Sequence, residues 1–338
     1  MKVVRVRQHG PASVLRVEDD PEPVAGPGDV RVRVTHVGLN HLDVWVRRGI
    51  PGHAFPLPLI PGADIAGVRE DTGAPVVIHP AVSCRECRAC TSGRADLCRE
   101  YRIRGERMDG GCAEIVVVPA WQLLPADGLD PVHAAALPLS LLTAWHLLIG
   151  RARIQPGERV VVMGGAGGVG SLAIQVAILA GARVAAVAST PEKRALCLDL
   201  GAEEAWTADD AVARARTWTG KAGVDVVVEH VGGRSFEDGV RMLRWGGRLA
   251  TCGATAGHQV TLDLRALFFK QLDLLGATMG SPAELAAAWD QVRAGRIRAV
   301  IDSVLPMTRI GDAQDALEAR SVAGKVVLAQ DLSAACQP

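Results

Sequence analysis

The stretch RVVVMGGAGGVGSLAIQVAILAG, residues 159–181, decides the fold. Residues 160–163 are four apolar residues in a row, which suits a short strand buried on both faces of a parallel sheet. A helix is expected to follow at once, because Val169, Leu172, Ala173, Val176, Ala177 and Ala180 recur at helical spacing and give it one apolar face. Between strand and helix, Gly165, Gly167 and Gly170 form G-x-G-x-x-G. These glycines permit a tight turn, close approach of backbone to a diphosphate, and close helix-to-strand packing, with helix N-terminal amides facing the phosphates. Strand, glycine turn and helix in that order predict a dinucleotide site.

Outward from this unit the chain changes texture. The first ~120 residues are short valine-rich segments broken by proline and glycine, with strands expected at 3–7, 14–17, 30–37, 76–78 and 114–118. They read as a twisted, mainly antiparallel β domain with ordered loops at 21–28 and 51–62. From about residue 140 strands and helices alternate, as in a doubly wound α/β sheet. Strands are expected at 183–188, 205–206, 225–231, 247–253 and 272–278, and helices at 191–200 and 236–243. With 160–163 they make six strands, the number that fits an order with a crevice at its switch point. The tail, with helices at 282–294 and 310–319 and strands at 300–305 and 325–328, has no phosphate motif and is expected to return to the first domain.

Composition excludes several function classes. At 338 residues the chain is too long for one ordinary core. Its 37 basic and 37 acidic residues balance, which argues against a nucleic-acid or anionic-membrane surface. One tyrosine and four phenylalanines make a base-stacking platform improbable. The amino terminus lacks the apolar core of a secretion signal, and the longest apolar stretch, 134–149, is interrupted by Pro138, Ser140, Thr143 and His146. A cytoplasmic protein with no membrane span is expected.

Eight cysteines in such a chain point to metal before disulfides. Cys84, Cys87, Cys90 and Cys98 stand as C-x2-C-x2-C-x7-C on one loop. Four thiolates can close a tetrahedron around Zn2+ and leave no position for substrate, so a structural zinc is expected. Cys112, Cys197, Cys252 and Cys336 follow no pattern and read as inert thiols.

Taken together, these features resemble the medium-chain dehydrogenase/reductase superfamily. The resemblance rests on VGLNHLDVWVRRG (37–49), PGADIAG (61–67), the four cysteines, GGCAEIVVVP (110–119), LPLSLLTAWHLL (137–148), GGAGGVG (164–170) and GKVVL (324–328). It implies a GroES-like catalytic domain at 1–139 with the zinc lobe at 84–98, a Rossmann domain at 140–279, and a return to the catalytic domain at 280–338. It also implies a cofactor site at Thr143, Gly165, Gly167, Gly168, Val169, Gly170, Ser189, Lys193 and Gly253. Subunits of the family pair near 264–278, so a homodimer or homotetramer is expected.

The chain departs from the zinc alcohol dehydrogenases at the positions of their catalytic metal ligands, which here hold Asn40, Ala63 and Leu139. Alanine and leucine cannot ligate metal, so no catalytic Zn2+ is expected. The serine or threonine that usually passes on the alcohol proton is replaced by Leu42. PGADIAG and GLNHLD are instead similar to the quinone-oxidoreductase branch. Zinc lowers the pKa of a bound oxygen from ~15.7 to ~7, on the order of 12 kcal/mol of anion stabilisation, whereas one well-aimed amide supplies about 3 to 4 kcal/mol. Alkoxide chemistry is therefore expected to be poor. A small-molecule quinone or α,β-unsaturated carbonyl, whose reduced form is a phenolate-like or enolate anion, is the expected acceptor. In this reading the Asn40 amide steadies the developing oxyanion, His41 is a weaker candidate for proton supply, and Asp43 and Asp64 orient the group. Asn40 also suits a loop cap, and both aspartates suit backbone hydrogen bonding.

Cofactor choice is read at the end of the second Rossmann strand. Ala188, Ser189 and Thr190 stand where an NAD enzyme usually has an acid, with Lys193 and Arg194 close behind. Small hydroxyls and cations suit a 2′-phosphate, so NADP(H) is preferred over NAD(H). Two other readings stay open: an NAD(P)-dependent alcohol dehydrogenase with an unusual site, and a nucleotide-binding or redox-sensing protein without turnover.

Overall fold

A computed structural model describes residues 1–332 and shows two compact units, one of residues 1–139, 285–293 and 298 onward, the other of residues 140–284 and 294–297. Cys336 lies outside the described residues.

The first unit is organised around a long strand, β1 (Asp29–Gly38), whose Val30, Val32 and Val34 turn inward while Arg31 and Arg33 turn out. The alternation slips between Val34 and His36, where the register against the next strand shifts, and Val37 regains the core. Asn40 then opens α1 (His41–Arg48), and Gly49 follows it at φ 79°. The chain returns through β2 (Asp64–Arg69), β3 (Pro75–Ile78), β4 (Ile115–Pro119) and β5 (Leu123–Pro125). The expected strand at 14–17 is shifted to Leu15–Asp19, because a single helical turn, Ala12–Val14, takes up its first residue.

Helix α2 (Pro138–Trp145) leads toward the glycine-rich unit. There β6 (Arg159–Met163) is followed by α3 (Gly168–Leu179), as the spacing predicts. Leu172, Ala173, Val176 and Ala177 are buried, and so is Ile174, which widens the apolar stripe. The remaining elements of the sheet are β7 (Arg183–Val187), α4 (Pro191–Asp199), β8 (Glu204–Trp206), β9 (Val224–Glu229), β10 (Leu243–Thr251) and β11 (Asp273–Gly276). All neighbours pair in parallel, in the order β8-β7-β6-β9-β10-β11. The order reverses between β6 and β9, the switch point at which such sheets bind ligands beyond their strand ends. Val160, Val161, Val162, Val226, Val227 and Val228 are fully buried, at roughly 1.5 kcal/mol or more each.

Several boundaries of this unit differ from expectation: the strand expected at 225–231 is Val224–Glu229 and the one expected at 272–278 is Asp273–Gly276. The helix expected at 236–243 is Arg234–Met242, because Gly233 at φ 55° turns the chain early. Strand β10 begins at Leu243 rather than 247, with an irregularity opposite Val224 and Val226 that Gly246 and Gly247 accommodate.

The tail supplies β12 (Ile301–Pro306) and β13 (Lys325–Ala329) to the first unit's sheet, in the order β12-β13-β1-β2-β3-β5 with β4 also on β1. Apart from the parallel β12–β13 pair this sheet is antiparallel. Among the described residues no helix is long and apolar enough to cross a membrane.

Candidate active site

Register assembles the first cluster. Gly38 at the end of β1 pairs with Asp64 on β2 and with Val327 on β13. Two residues further along, Asn40 comes opposite Lys325, with Leu39 N bonded to Val326 O at 2.9 Å between them. A side chain on Gly38 would strike the Ala135 carbonyl, so the helical turn Pro131–Ala135 lies directly against the end of β1.

Asn40, Asp64 and Lys325 are buried together. The Lys325 ammonium donates to Asn40 Oδ1 at 2.6 Å and to Asp64 Oδ2 at 2.9 Å. Asn40 Nδ2 donates to Asp64 Oδ2 at 3.0 Å and more weakly to the Gly38 carbonyl at 3.5 Å. The other carboxylate oxygen of Asp64 accepts the Leu139 amide at 2.5 Å. Such a cluster satisfies its charges internally, which is what a buried ion pair requires.

Asp43 forms a second layer. Its oxygens accept the amides of Asn40, at 2.8 Å, and Gly62, at 2.9 Å. Burial outweighs these bonds and pushes its carboxyl up to about 6. His41 lies on the first turn of α1, 6.4 Å from the Trp45 ring. Leu42 packs toward Val46, Phe55 and Leu59.

The positions compared with catalytic metal ligands thus hold an asparagine tied to an ammonium, a buried alanine, and a leucine whose backbone amide holds Asp64. Lys325 stands in the GKVVL motif at 324–328, where the sequence assigns it no role. Its signal is a cation opening an otherwise apolar strand, which sequence alone reads as an ordinary solvent-facing strand end.

The cysteine lobe closes as its spacing predicts. Sulfur-to-sulfur distances are 3.5 Å for Cys98–Cys84, 3.8 Å for Cys84–Cys90 and 3.7 Å for Cys87–Cys90. A tetrahedral zinc at ~2.3 Å from each sulfur would set them ~3.8 Å apart, so the residues fit the ion. Among the described residues this is the one group of three or more His, Cys, Asp or Glu side chains drawn together in this way, with donor atoms within 4.8 Å.

In the second unit, Gly167 is the N-cap of α3, and Gly168, Val169 and Gly170 present the first amides of its N-terminus. A Cβ on Gly170 would stand 2.2 Å from the Gly164 carbonyl, so helix and loop touch backbone to backbone. This is the cradle a diphosphate requires. At the end of β7, Ser189 is exposed, and Thr190 caps α4 by accepting the Lys193 amide at 3.2 Å. Arg194 turns back to the carbonyls of Ala188 and Ser189. Glu192, the acid nearest this strand end, is held below the usual carboxylate range by its own backbone amide and the Thr190 hydroxyl. Thr143 is buried in α2 with its hydroxyl 3.9 Å from the Met279 sulfur, and Gly253 lies just beyond β10, against the His230 carbonyl.

These two sites on these two folds define a pyridine-nucleotide oxidoreductase of two domains. The chain matches the zinc-binding dehydrogenase family over residues 168–294 and the alcohol dehydrogenase GroES-like domain over residues 26–128. It is 30% identical to a crotonyl-CoA reductase of Streptomyces avermitilis, over 91% of this chain and 80% of that protein. It is 28% identical to a probable quinone oxidoreductase of Schizosaccharomyces pombe, over 96% of each chain. Among solved structures, that of an NAD-dependent alcohol dehydrogenase superposes with a TM-score of 0.94 at 40% identity, over 97% of this chain and 99% of that one. The chain belongs to the medium-chain dehydrogenase/reductase superfamily.

Proposed function

We propose that this protein reduces a quinone or an α,β-unsaturated carbonyl with NADPH, with no catalytic metal and with one structural zinc at Cys84, Cys87, Cys90 and Cys98. The observation that carries the proposal is the buried Lys325–Asn40–Asp64 cluster. An ammonium bonded to both Asn40 and Asp64 supplies fixed positive charge at the position of a metal and repels a second cation there.

The bound dinucleotide supplies the hydride. Gly165, Gly167, Gly168, Val169 and Gly170 would hold its diphosphate, Ser189 and Lys193 would take the 2′-phosphate, and Thr143 and Gly253 would border the nicotinamide. In the first unit, Asn40 Nδ2 keeps its 3.0 Å bond to Asp64 and exchanges the 3.5 Å contact with Gly38 for the substrate oxygen. Lys325, acting on Asn40 Oδ1, polarises the amide and strengthens that donor. Asp64 and Asp43 fix the side chain and backbone of Asn40, and His41 delivers the proton to the reduced oxygen. A phenolate-like or enolate anion is stable enough for such donors, since a phenol ionises near pH 10 without any metal. Relatives named for quinone and crotonyl-CoA reduction agree with this substrate class.

The alternative is alcohol oxidation, favoured by the solved alcohol dehydrogenase at 40% identity. The test is NADPH and NADH oxidation against a panel of quinones and enones, beside NAD(P)+ reduction with alcohols. Quinone or enone turnover with NADPH is expected to dominate, and Asn40→Ala to lower kcat about 100-fold at saturating cofactor. Dominant alcohol turnover, or an unchanged Asn40→Ala rate, would reject the proposal. Absence of turnover with retained nucleotide binding would favour a sensing role.

A further inference from the structure

His230 follows β9 directly, at the switch point beside β6, and its ring lies against the glycine-rich loop. A Cβ built on Gly164 would stand 3.1 Å from His230 Cε1 and 3.3 Å from Nε2, and one on Gly167 would stand 3.9 Å from Cε1. The ring is partly exposed, yet Nε2 is buried and meets no hydrogen-bond partner among the described residues. A buried ring nitrogen without a partner is costly unless it has a use.

The chemistry of a dinucleotide says which part it meets. Its phosphates offer only acceptors near neutral pH, whereas a ribose hydroxyl both donates and accepts and so satisfies this nitrogen in either tautomer. Residues 189 and 193, at the end of β7, serve the adenosine ribose, which places β9, across the switch point, on the nicotinamide half. We propose that His230 is a nucleotide-reading residue whose Nε2 shares a hydrogen bond with a hydroxyl of the nicotinamide-side ribose once the glycine loop takes up the diphosphate. Burial agrees with this, because it holds the imidazole down to about 4 and so keeps it neutral. The inference rests on reading this unit as a pyridine-dinucleotide site.

The experiment measures equilibrium binding of NADPH, reduced nicotinamide mononucleotide and 2′,5′-ADP to the full chain, with no substrate present. His230→Phe is expected to weaken both nicotinamide ligands about 5- to 10-fold, the worth of one neutral hydrogen bond. Binding of 2′,5′-ADP should stay within about 2-fold, which also reports an intact loop. His230→Gln, whose carbonyl can accept, should recover most of the lost affinity. In the NADP+ complex, the nitrogen-15 spectrum should show His230 neutral with one unprotonated nitrogen. Wild-type NADPH affinity in His230→Phe, an equal loss of 2′,5′-ADP affinity, or an imidazolium in the complex would each overturn the inference alone. A wild-type chain that binds neither NADPH nor NADH would overturn the proposed function and the inference with it.

Discussion

Lys325 is held by two partners far from it in sequence, and removing its charge leaves a carboxylate stranded in the core. Lys325→Met should destabilise the first unit by about 3 to 5 kcal/mol, because Asp64 stays buried and uncompensated. Lys325→Met with Asp64→Leu should recover a large part of that loss, and urea unfolding of both variants checks it. A double variant no more stable than the single would contradict the account. Asp43 makes a pH prediction of known sign. Its folded carboxyl is raised to about 6 from an ordinary 3.8, so the native state binds the proton more tightly than the unfolded chain. Its contribution to stability is therefore full below about pH 4 and is lost as pH rises through 6. Denaturation midpoints of the wild type should fall relative to Asp43→Asn across that window. Part of this site was legible in the sequence: Asn40, Asp43 and Asp64 stand in short motifs, and an alanine at 63 and a leucine at 139 are visible at once. Lys325 was not, because its role comes from a strand pairing 285 residues away.

At the level of elements, the glycine-rich turn and the cysteine loop are the most exacting. Gly170→Ala would drive a methyl into the Gly164 carbonyl at 2.2 Å, so it should abolish dinucleotide binding, measured by nicotinamide fluorescence. The cysteine lobe should hold one zinc per chain by metal analysis. Cys98→Ser should lower both zinc content and melting temperature, since a structural ion contributes folding energy directly. A second equivalent of zinc in the wild type would contradict the proposed metal-free site. The elements were legible because local signals agree: alternation in β1, four consecutive apolar positions in β6, and a 3.6-residue stripe in α3. Where boundaries moved, at Leu15, Arg234 and Leu243, a local turn or an irregular register intervened, neither of which hydrophobic spacing records.

On the scale of the whole molecule, the second unit is nearly continuous in sequence and the first is made from both sides of it. Strand β1 takes its neighbour β13 from the far end of the chain, and that neighbour brings Lys325 to Asn40 and Asp64. During synthesis the nucleotide-binding unit can be complete while β1 still presents an open edge and Asp64 is still hydrated. Only when residues 325–329 emerge does the Lys325–Asn40–Asp64 cluster, proposed to steady the oxyanion, come into being. Acquisition of chemistry is thus a late, long-range event, slow by virtue of the span it must close. A nascent chain halted before that point should already capture nucleotide yet lack any capacity to reduce its substrate.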